Sequence, residues 1–351
     1  MKVILITGAA GFIGSNLAKR ILCGEQDVRV IGIDSMTDYY DVNLKESRLQ
    51  ELEESEHFTF VRGSIADKSL VGEVFLKYQP HIVVNLAAQA GVRYSIDNPD
   101  SYIESNLIGF FNILEACRHS YDALQADPDA AYRGVEHLVY ASSSSVYGFN
   151  EKVPYSTEDR VDNPVSLYAA TKKSNELMAH AYSKLYGIPS TGLRFFTVYG
   201  PAGRPDMAYF KFTNKMVNGE KIQIYNYGDM KRDFTYIDDI VTGVMKVMDR
   251  PPVENSRGVR YKVYNIGNHK PEDLLFFVET LEQCLIKEGV IEQPAEKEFL
   301  PMQPGDVYQT YADTKELEQD FGFCPDTPLK EGLARFAKWY REYYMGKKGR
   351  V

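Results

Sequence analysis

Tyr168 and Lys172 stand four residues apart in Tyr168-Ala169-Ala170-Thr171-Lys172. That spacing puts a phenol and an ammonium on one face of a helix. A free tyrosine has a pKa of about 10, and a neighbouring lysine cation favours its phenolate, so Tyr168 is a candidate general base for an alcohol being oxidised. A lone pair of this kind is common helix decoration; it gains meaning only beside a hydride acceptor. The run Ala141-Ser142-Ser143-Ser144-Ser145-Val146-Tyr147-Gly148 adds consecutive hydroxyls where an apolar strand ends. Ser143 is the candidate to hydrogen-bond the reacting hydroxyl; the plainer reading is a polar turn.

A hydride acceptor is indicated at the other end of the chain. Gly8-Ala9-Ala10-Gly11-Phe12-Ile13-Gly14 follows a β-rich run and opens a helix. Glycines there allow a tight turn and let a pyrophosphate approach the helix N-terminus. Asp34 ends the next β-branched run, where a carboxylate accepts from adenosine ribose hydroxyls and repels a 2′-phosphate, so NAD is expected rather than NADP. Asp67, in Gly63-Ser64-Ile65-Ala66-Asp67, either receives the adenine amino group or caps the following helix. Leu86, Ala87 and Ala88 end a further strand where small side chains admit the dinucleotide.

These residues need a parallel sheet to carry them. The pattern predicts strands over Lys2–Thr7, Val28–Ile33, His57–Val61, His81–Asn85, Val135–Ala141 and Ser190–Phe195. Helices are expected over Phe12–Cys23, Val42–Glu54 (charged and exposed-looking), Lys68–Tyr78, Pro99–Arg118 and Val165–Tyr186. Short apolar strands alternating with helices indicate an α/β fold, a Rossmann doubly wound parallel sheet covered on both faces. Ser120–Gly134, polar and containing Pro128, reads as a surface insertion. Beyond Phe195, prolines and glycines break the order into shorter pieces, predicting a smaller C-terminal α/β substrate-binding lobe interleaved with the sheet: roughly residues 1–195 and 196–351. A last helix is expected over Pro328–Tyr344.

With 351 residues, the chain has room for two such units. Its net charge of −9 makes a nucleic-acid partner unexpected. The 4 cysteines form no CxxC and the 6 histidines no HxxxH, so no metal or disulfide framework is expected and a reducing, cytoplasmic setting fits. No membrane span is expected; the apolar start reads as a buried strand that runs into glycines rather than as a leader.

Together with Leu193-Arg194-Phe195-Phe196-Thr197-Val198-Tyr199-Gly200-Pro201, Lys231-Arg232-Asp233-Phe234 and Pro304-Gly305-Asp306, these motifs resemble the extended short-chain dehydrogenase/reductase family, in particular its nucleotide-sugar 4-epimerases. The resemblance covers nearly the whole chain. It implies tightly bound, recycled NAD, a UDP-sugar substrate and a homodimer packed through the helices around Pro99–Arg118 and Val165–Tyr186. Tyr168, Lys172 and Ser143 match the family's base, lysine partner and hydroxyl helper; Arg232 and Asp306 match positions that hold the diphosphate and the nucleoside ribose. Phe12, Ile13, Ile65 and Asn106 complete the residues expected along the cofactor. Where galactose epimerases place an arginine before Pro-Gly-Asp, this chain has Gln303.

The family's 4,6-dehydratases and uronate decarboxylases carry an acidic residue just before Val-Tyr-Gly; here Ser144 and Ser145 stand there. With Gly203-Arg204-Pro205-Asp206-Met207-Ala208, the pattern looks most like the UDP-glucuronate 4-epimerases, which invert C4 through a 4-keto intermediate. Ser144, Ser145 and Thr197 are then expected to donate to the uronate carboxylate, with Arg204 either supplying a cation or forming a solvated loop charge. Thr310 is expected near C2 of the sugar. The alternatives are an epimerase of UDP-glucose, UDP-galactose or UDP-N-acetylhexosamine, a net NAD(P)H-consuming oxidoreductase, and a binding protein on a dehydrogenase-like fold.

Overall fold

Six strands are matched side by side in parallel, and their order explains where a ligand can sit. The computed structural model describes residues 1–24, 27–122, 131–303 and 306–346. Its first half runs β1 (Lys2–Thr7), α1 (Phe12–Gly24), β2 (Val28–Asp34), α2 (Val42–Glu53), β3 (Phe58–Arg62), α3 (Lys68–Tyr78) and β4 (Ile82–Asn85). Then come short helices α4 (Tyr94–Asp97) and α5 (Pro99–Tyr102), a π-helical turn over Ile103–Ile108, α6 (Gly109–His119), β5 (His137–Ser143), α7 (Leu167–Tyr186) and β6 (Ser190–Phe195).

The 7-stranded sheet has the order β10-β6-β5-β4-β1-β2-β3, with β10 spanning Tyr261–Ile266. Register is parallel from β3 to β6, for example Leu5 opposite Ile31 and Val83, and Val139 opposite Thr191. The order reverses beside β1, and the crevice at such a switch point is where doubly wound folds take ligands. Leu5, Ile31, Val83 and Leu138 are fully buried, and Phe110, Ile113 and Leu114 of α6 pack over this core. Strands covered on both faces explain their unbroken Val/Ile/Leu content.

The chain divides into two compact units: residues 1–149, 159–195 and 241–264 form the first, and residues 150–158, 196–240 and 265–351 the second. The segment 241–264 thus returns to the first unit after the chain has entered the second.

The second unit contains β7 (Thr197–Tyr199), α8 (Ala208–Val217), β8 (Ile222–Ile224), β9 (Lys231–Tyr236), β11 (Pro271–Asp273), α10 (Leu274–Lys287), β12 (Lys297–Phe299), α11 (Lys315–Phe321) and α12 (Leu329–Tyr340); α9 (Ile237–Met248) crosses the division. β9 pairs antiparallel with β11 and parallel with β7, while β8 pairs with β12. Aromatic packing holds it together: Phe234 stacks on Phe277 at 4.1 Å, and Phe336 meets Tyr209 edge-on at 4.8 Å.

The structure corrects several expectations. The single helix expected over Pro99–Arg118 is α5, a π turn and α6. The helix expected from Val165 starts at Leu167, because Ser166 is extended and its hydroxyl caps the Ala169 N–H. β5 runs from His137 to Ser143, two residues later at both ends than the pattern suggests. The last α-helix ends at Tyr340 and widens into a π turn, Arg341–Met345. The expected exposure of α2 is wrong on one side: Lys45 and Arg48 are buried and turn inward to backbone carbonyls. Residues 123–130 of the expected insertion lie outside the described residues.

Candidate active site

The glycine loop is close-packed against itself. Gly8 has φ +71°, and a Cβ there would lie 2.8 Å from the Ala87 nitrogen; one on Gly14 would lie 2.2 Å from the Gly8 carbonyl oxygen. No larger residue fits, so backbone N–H groups line the turn at the start of α1, whose first turn carries no acidic residue. The Thr7 hydroxyl donates to Asn85 at 2.7 Å and accepts from the Ala87 N–H at 3.1 Å, tying β1 to Leu86–Ala88.

Asp34 is buried at the end of β2. Its carboxylate accepts from the N–H groups of Ala10 at 3.1 Å and Met36 at 2.8 Å. Each oxygen keeps a lone pair for a further donor. A glycine cradle at a helix N-terminus beside a fixed carboxylate suits a dinucleotide's pyrophosphate and adenosine ribose.

Sequence reasoning missed the supports of this loop. Arg48 donates to the Ala10 carbonyl and to the Tyr40 hydroxyl, both at 2.9 Å, while Lys45 donates to the Thr37 carbonyl at 2.7 Å. Both cations lie over the Tyr40 ring. Their inward direction follows from long stems that bury carbon and deliver charge to carbonyl oxygens.

Asp67 caps α3, accepting from the N–H groups of Ser69 and Leu70. Ile65 is buried, and its carbonyl receives the Asn112 amide. Asn106 lies in the π turn. Its amide donates to the Gln89 carbonyl and the Thr171 hydroxyl, and its side-chain oxygen accepts from the Gln89 N–H. It therefore braces the segment around Gln89, beyond the end of β4, against the helix that carries Tyr168.

On α7, Tyr168 is half-buried and meets the Tyr102 ring edge-on at 6.0 Å. Lys172 is buried, and its Nζ donates to the Ala141 carbonyl at 2.9 Å. Burial pulls its ammonium down to about 8. Ser143 ends β5; its hydroxyl accepts from the Ser145 N–H at 3.2 Å and donates to the Ser145 hydroxyl at 3.1 Å. Ser144 and Ser145 fall in the 3₁₀ turn that follows, Ser144–Tyr147.

The remaining candidates belong to the second unit. Thr197 is half-buried on β7. Arg232, on β9, donates to the carbonyls of Lys231 and Tyr308. Burial lowers its guanidinium below the ordinary value, while Asp306 and Tyr155 act in the opposite sense. Pro304 and Gly305, which precede Asp306, lie outside the described residues.

Arg204, read from the sequence as either a cation for the carboxylate or a solvated loop charge, is ion-paired: Asp206 grips it from two residues on, with Nε to Oδ1 at 3.0 Å and Nη2 to Oδ2 at 2.5 Å. Thr310 is buried, and its hydroxyl accepts from the Asp233 N–H. Asp233 itself accepts from Asn268 and Ala312 N–H groups, and burial raises its carboxyl to about 6.

A switch-point sheet, a glycine cradle and a tyrosine–lysine helix define the extended short-chain dehydrogenase/reductase class. Residues 4–267 match the NAD dependent epimerase/dehydratase family, and the chain belongs to it. It is 51% identical to protein CapI of Staphylococcus aureus, over 97% of this chain and 99% of that one. It is 44% identical to the probable UDP-glucuronate 4-epimerase of Rhizobium meliloti, over 97% of each. The crystal structure of UDP-glucuronic acid 4-epimerase from Bacillus cereus, in complex with UDP-glucuronic acid and NAD, aligns with a TM-score of 0.84 at 32% identity, covering 97% of this chain and 100% of that one.

Proposed function

We propose that the chain is an NAD-dependent UDP-glucuronate 4-epimerase, interconverting UDP-glucuronate and UDP-galacturonate. The observation that carries this reading is the Ser143–Ser145 turn: hydroxyls, and no carboxylate, close β5. A relative with an acid there could protonate or deprotonate the sugar a second time; this turn can only hydrogen-bond.

Bound NAD supplies a hydride acceptor at C4 and the donor for its return. Tyr168 takes the C4 hydroxyl proton and gives it back, and Lys172 favours its phenolate. Ser143 holds the C4 oxygen. The keto sugar formed is a β-keto acid, which loses CO₂ when the C5–C6 bond aligns with the carbonyl π system. Ser144, Ser145 and Thr197 donate to the carboxylate and hold it out of that alignment, with Arg204 as a further donor. Arg232 and Asp306 take the diphosphate and the uridine ribose. Gly8, Gly11, Phe12, Ile13, Gly14, Asp34, Ile65, Asp67, Leu86, Ala87, Ala88 and Asn106 surround the cofactor.

A second reading has one observation in its favour. The Asp206 partner neutralises Arg204, which suits a neutral sugar such as UDP-glucose. Turnover of UDP-glucuronate and UDP-glucose by the same preparation separates the two; preference for the neutral sugar contradicts the first.

We further propose a cytoplasmic homodimer. Among the described residues no helix is long and apolar enough to cross a membrane, and all four cysteines are free thiols. Ile103, Ile108 and Phe111 of the π turn and α6, with Leu177 and Leu185 of α7, are exposed. Large apolar side chains clustered this way suit contact with a second copy. Sedimentation at micromolar concentration tests it, and a monomer there contradicts it.

A further inference from the structure

Glu176 follows Tyr168 and Lys172 on α7, and the chemistry above gives it no task. It is nevertheless the centre of a buried network within the first unit. Arg194 of β6 grips its carboxylate with two donors, Nε to Oε1 at 2.8 Å and Nη2 to Oε2 at 2.9 Å. The Ser142 hydroxyl donates to Oε1 at 2.7 Å. Arg194 sends its Nη1 to the Tyr147 hydroxyl at 3.0 Å, and its guanidinium lies 4.9 Å from the centre of that ring. Glu176, Arg194, Ser142 and Tyr147 are all buried. Burial raises the Glu176 carboxyl, but the Arg194 fork, with Lys173 and the Ser142 hydroxyl, outweighs it and holds it below the ordinary value, so the group remains ionised.

These contacts fall in an ordered pattern along one segment. Lys172 holds Ala141, Glu176 holds Ser142, and Arg194 holds Tyr147. Ser143, Ser144 and Ser145 lie between the second and third attachments. A buried ion pair is weak evidence for stability, since apolar replacements of like volume often serve as well. Its planar, bidentate fork does set direction.

We propose that Glu176, Arg194 and Tyr147 are positioning residues that fix the Ser143–Ser145 turn relative to the helix bearing Tyr168, and thereby suppress decarboxylation of the 4-keto uronate. The inference rests on the UDP-glucuronate reading and deepens it. In the suppressed side reaction the C5–C6 bond breaks, its electron pair passes toward the C4 oxygen, CO₂ leaves and C5 takes up a proton. A 4-keto pentose departs and the dinucleotide stays reduced.

The test uses the full chain with its bound dinucleotide and UDP-glucuronate, resolving products by NMR and mass while recording kcat, KM and melting temperature. Tyr147→Phe keeps the ring under Arg194 and removes only the hydroxyl. It should melt close to the unmodified protein, lower kcat/KM roughly tenfold through KM, and increase the share of decarboxylated product. The double variant Glu176→Leu/Arg194→Met removes both fully buried charges and leaves only Lys173, a half-buried partner of Glu176 at 3.3 Å, to turn to solvent; it should fold and give the same rise, and it decides the matter if Tyr147→Phe fails to fold. A folded variant with unchanged KM and clean epimer overturns the positioning role while leaving the substrate reading intact. An unmodified protein that yields no epimer from UDP-glucuronate overturns both.

Discussion

The Lys172 ammonium donates to the carbonyl oxygen of Ala141, 2.9 Å away, so the lysine that follows Tyr168 by one helical turn is also bonded to the strand that ends in Ser143. Its pKa is lowered to about 8 by burial. The cation is present below that pH and lost above it, and its support for a Tyr168 phenolate goes with it. The kcat/KM profile should therefore fall on the alkaline side with a midpoint near 8. Lys172→Met should lower kcat by about 10²-fold and remove that limb. A limb that persists in the variant contradicts the assignment.

Gly14 is the tightest point of the cofactor loop. A methyl placed 2.2 Å from the Gly8 carbonyl oxygen forces the turn apart. Gly14→Ala should leave purification with little bound dinucleotide, measured after acid release. Retention of a full complement would show that the loop tolerates the displacement.

Stability should depend on pH through His137. The ring bonds the Met248 carbonyl and the Thr191 hydroxyl, and burial holds its imidazolium down to about 4 against an ordinary 6.5. A base with a depressed folded pKa favours the folded state fully above its unfolded value. That contribution, on the order of 3 kcal/mol, is lost as pH falls from 6.5 through about 4. His137→Gln should flatten the acid limb of melting temperature against pH across that window. An unchanged slope assigns the acid sensitivity elsewhere.

Arg204 and Asp206 form one unit. Arg204→Ala should raise KM for UDP-glucuronate roughly tenfold or more, about the worth of one charge-assisted hydrogen bond, and leave UDP-glucose unaffected. Equal effects on both sugars would place the pair outside carboxylate recognition. Asp206→Asn leaves one acceptor for the Arg204 fork and restores net positive charge, and should lower KM for the uronate.

Much of the sheet is legible in the sequence because its boundaries carry their own chemistry. β1 stops where Gly8 takes a left-handed turn, and α3 starts where Asp67 caps it. The π turn is not legible: its wider winding accompanies the ties of Asn106 to Gln89 and Thr171, which are far apart in the chain. Lys45 and Arg48 read as surface charge because no local pattern reveals that Ala10 and Thr37 present carbonyls to them. Glu176 could have been noticed as the next residue on the Tyr168–Lys172 face, but its partner Arg194 comes from strand β6. The Arg204–Asp206 pair is local, and its spacing of two is visible in the sequence.

The most direct measurement is an NMR spectrum of UDP-glucuronate incubated with the purified protein and no added cofactor. The account predicts UDP-galacturonate growing toward equilibrium, with carbon dioxide loss negligible. Absence of turnover until NAD is supplied in amounts matching product, or a reduced or decarboxylated sugar as the sole product, would contradict it.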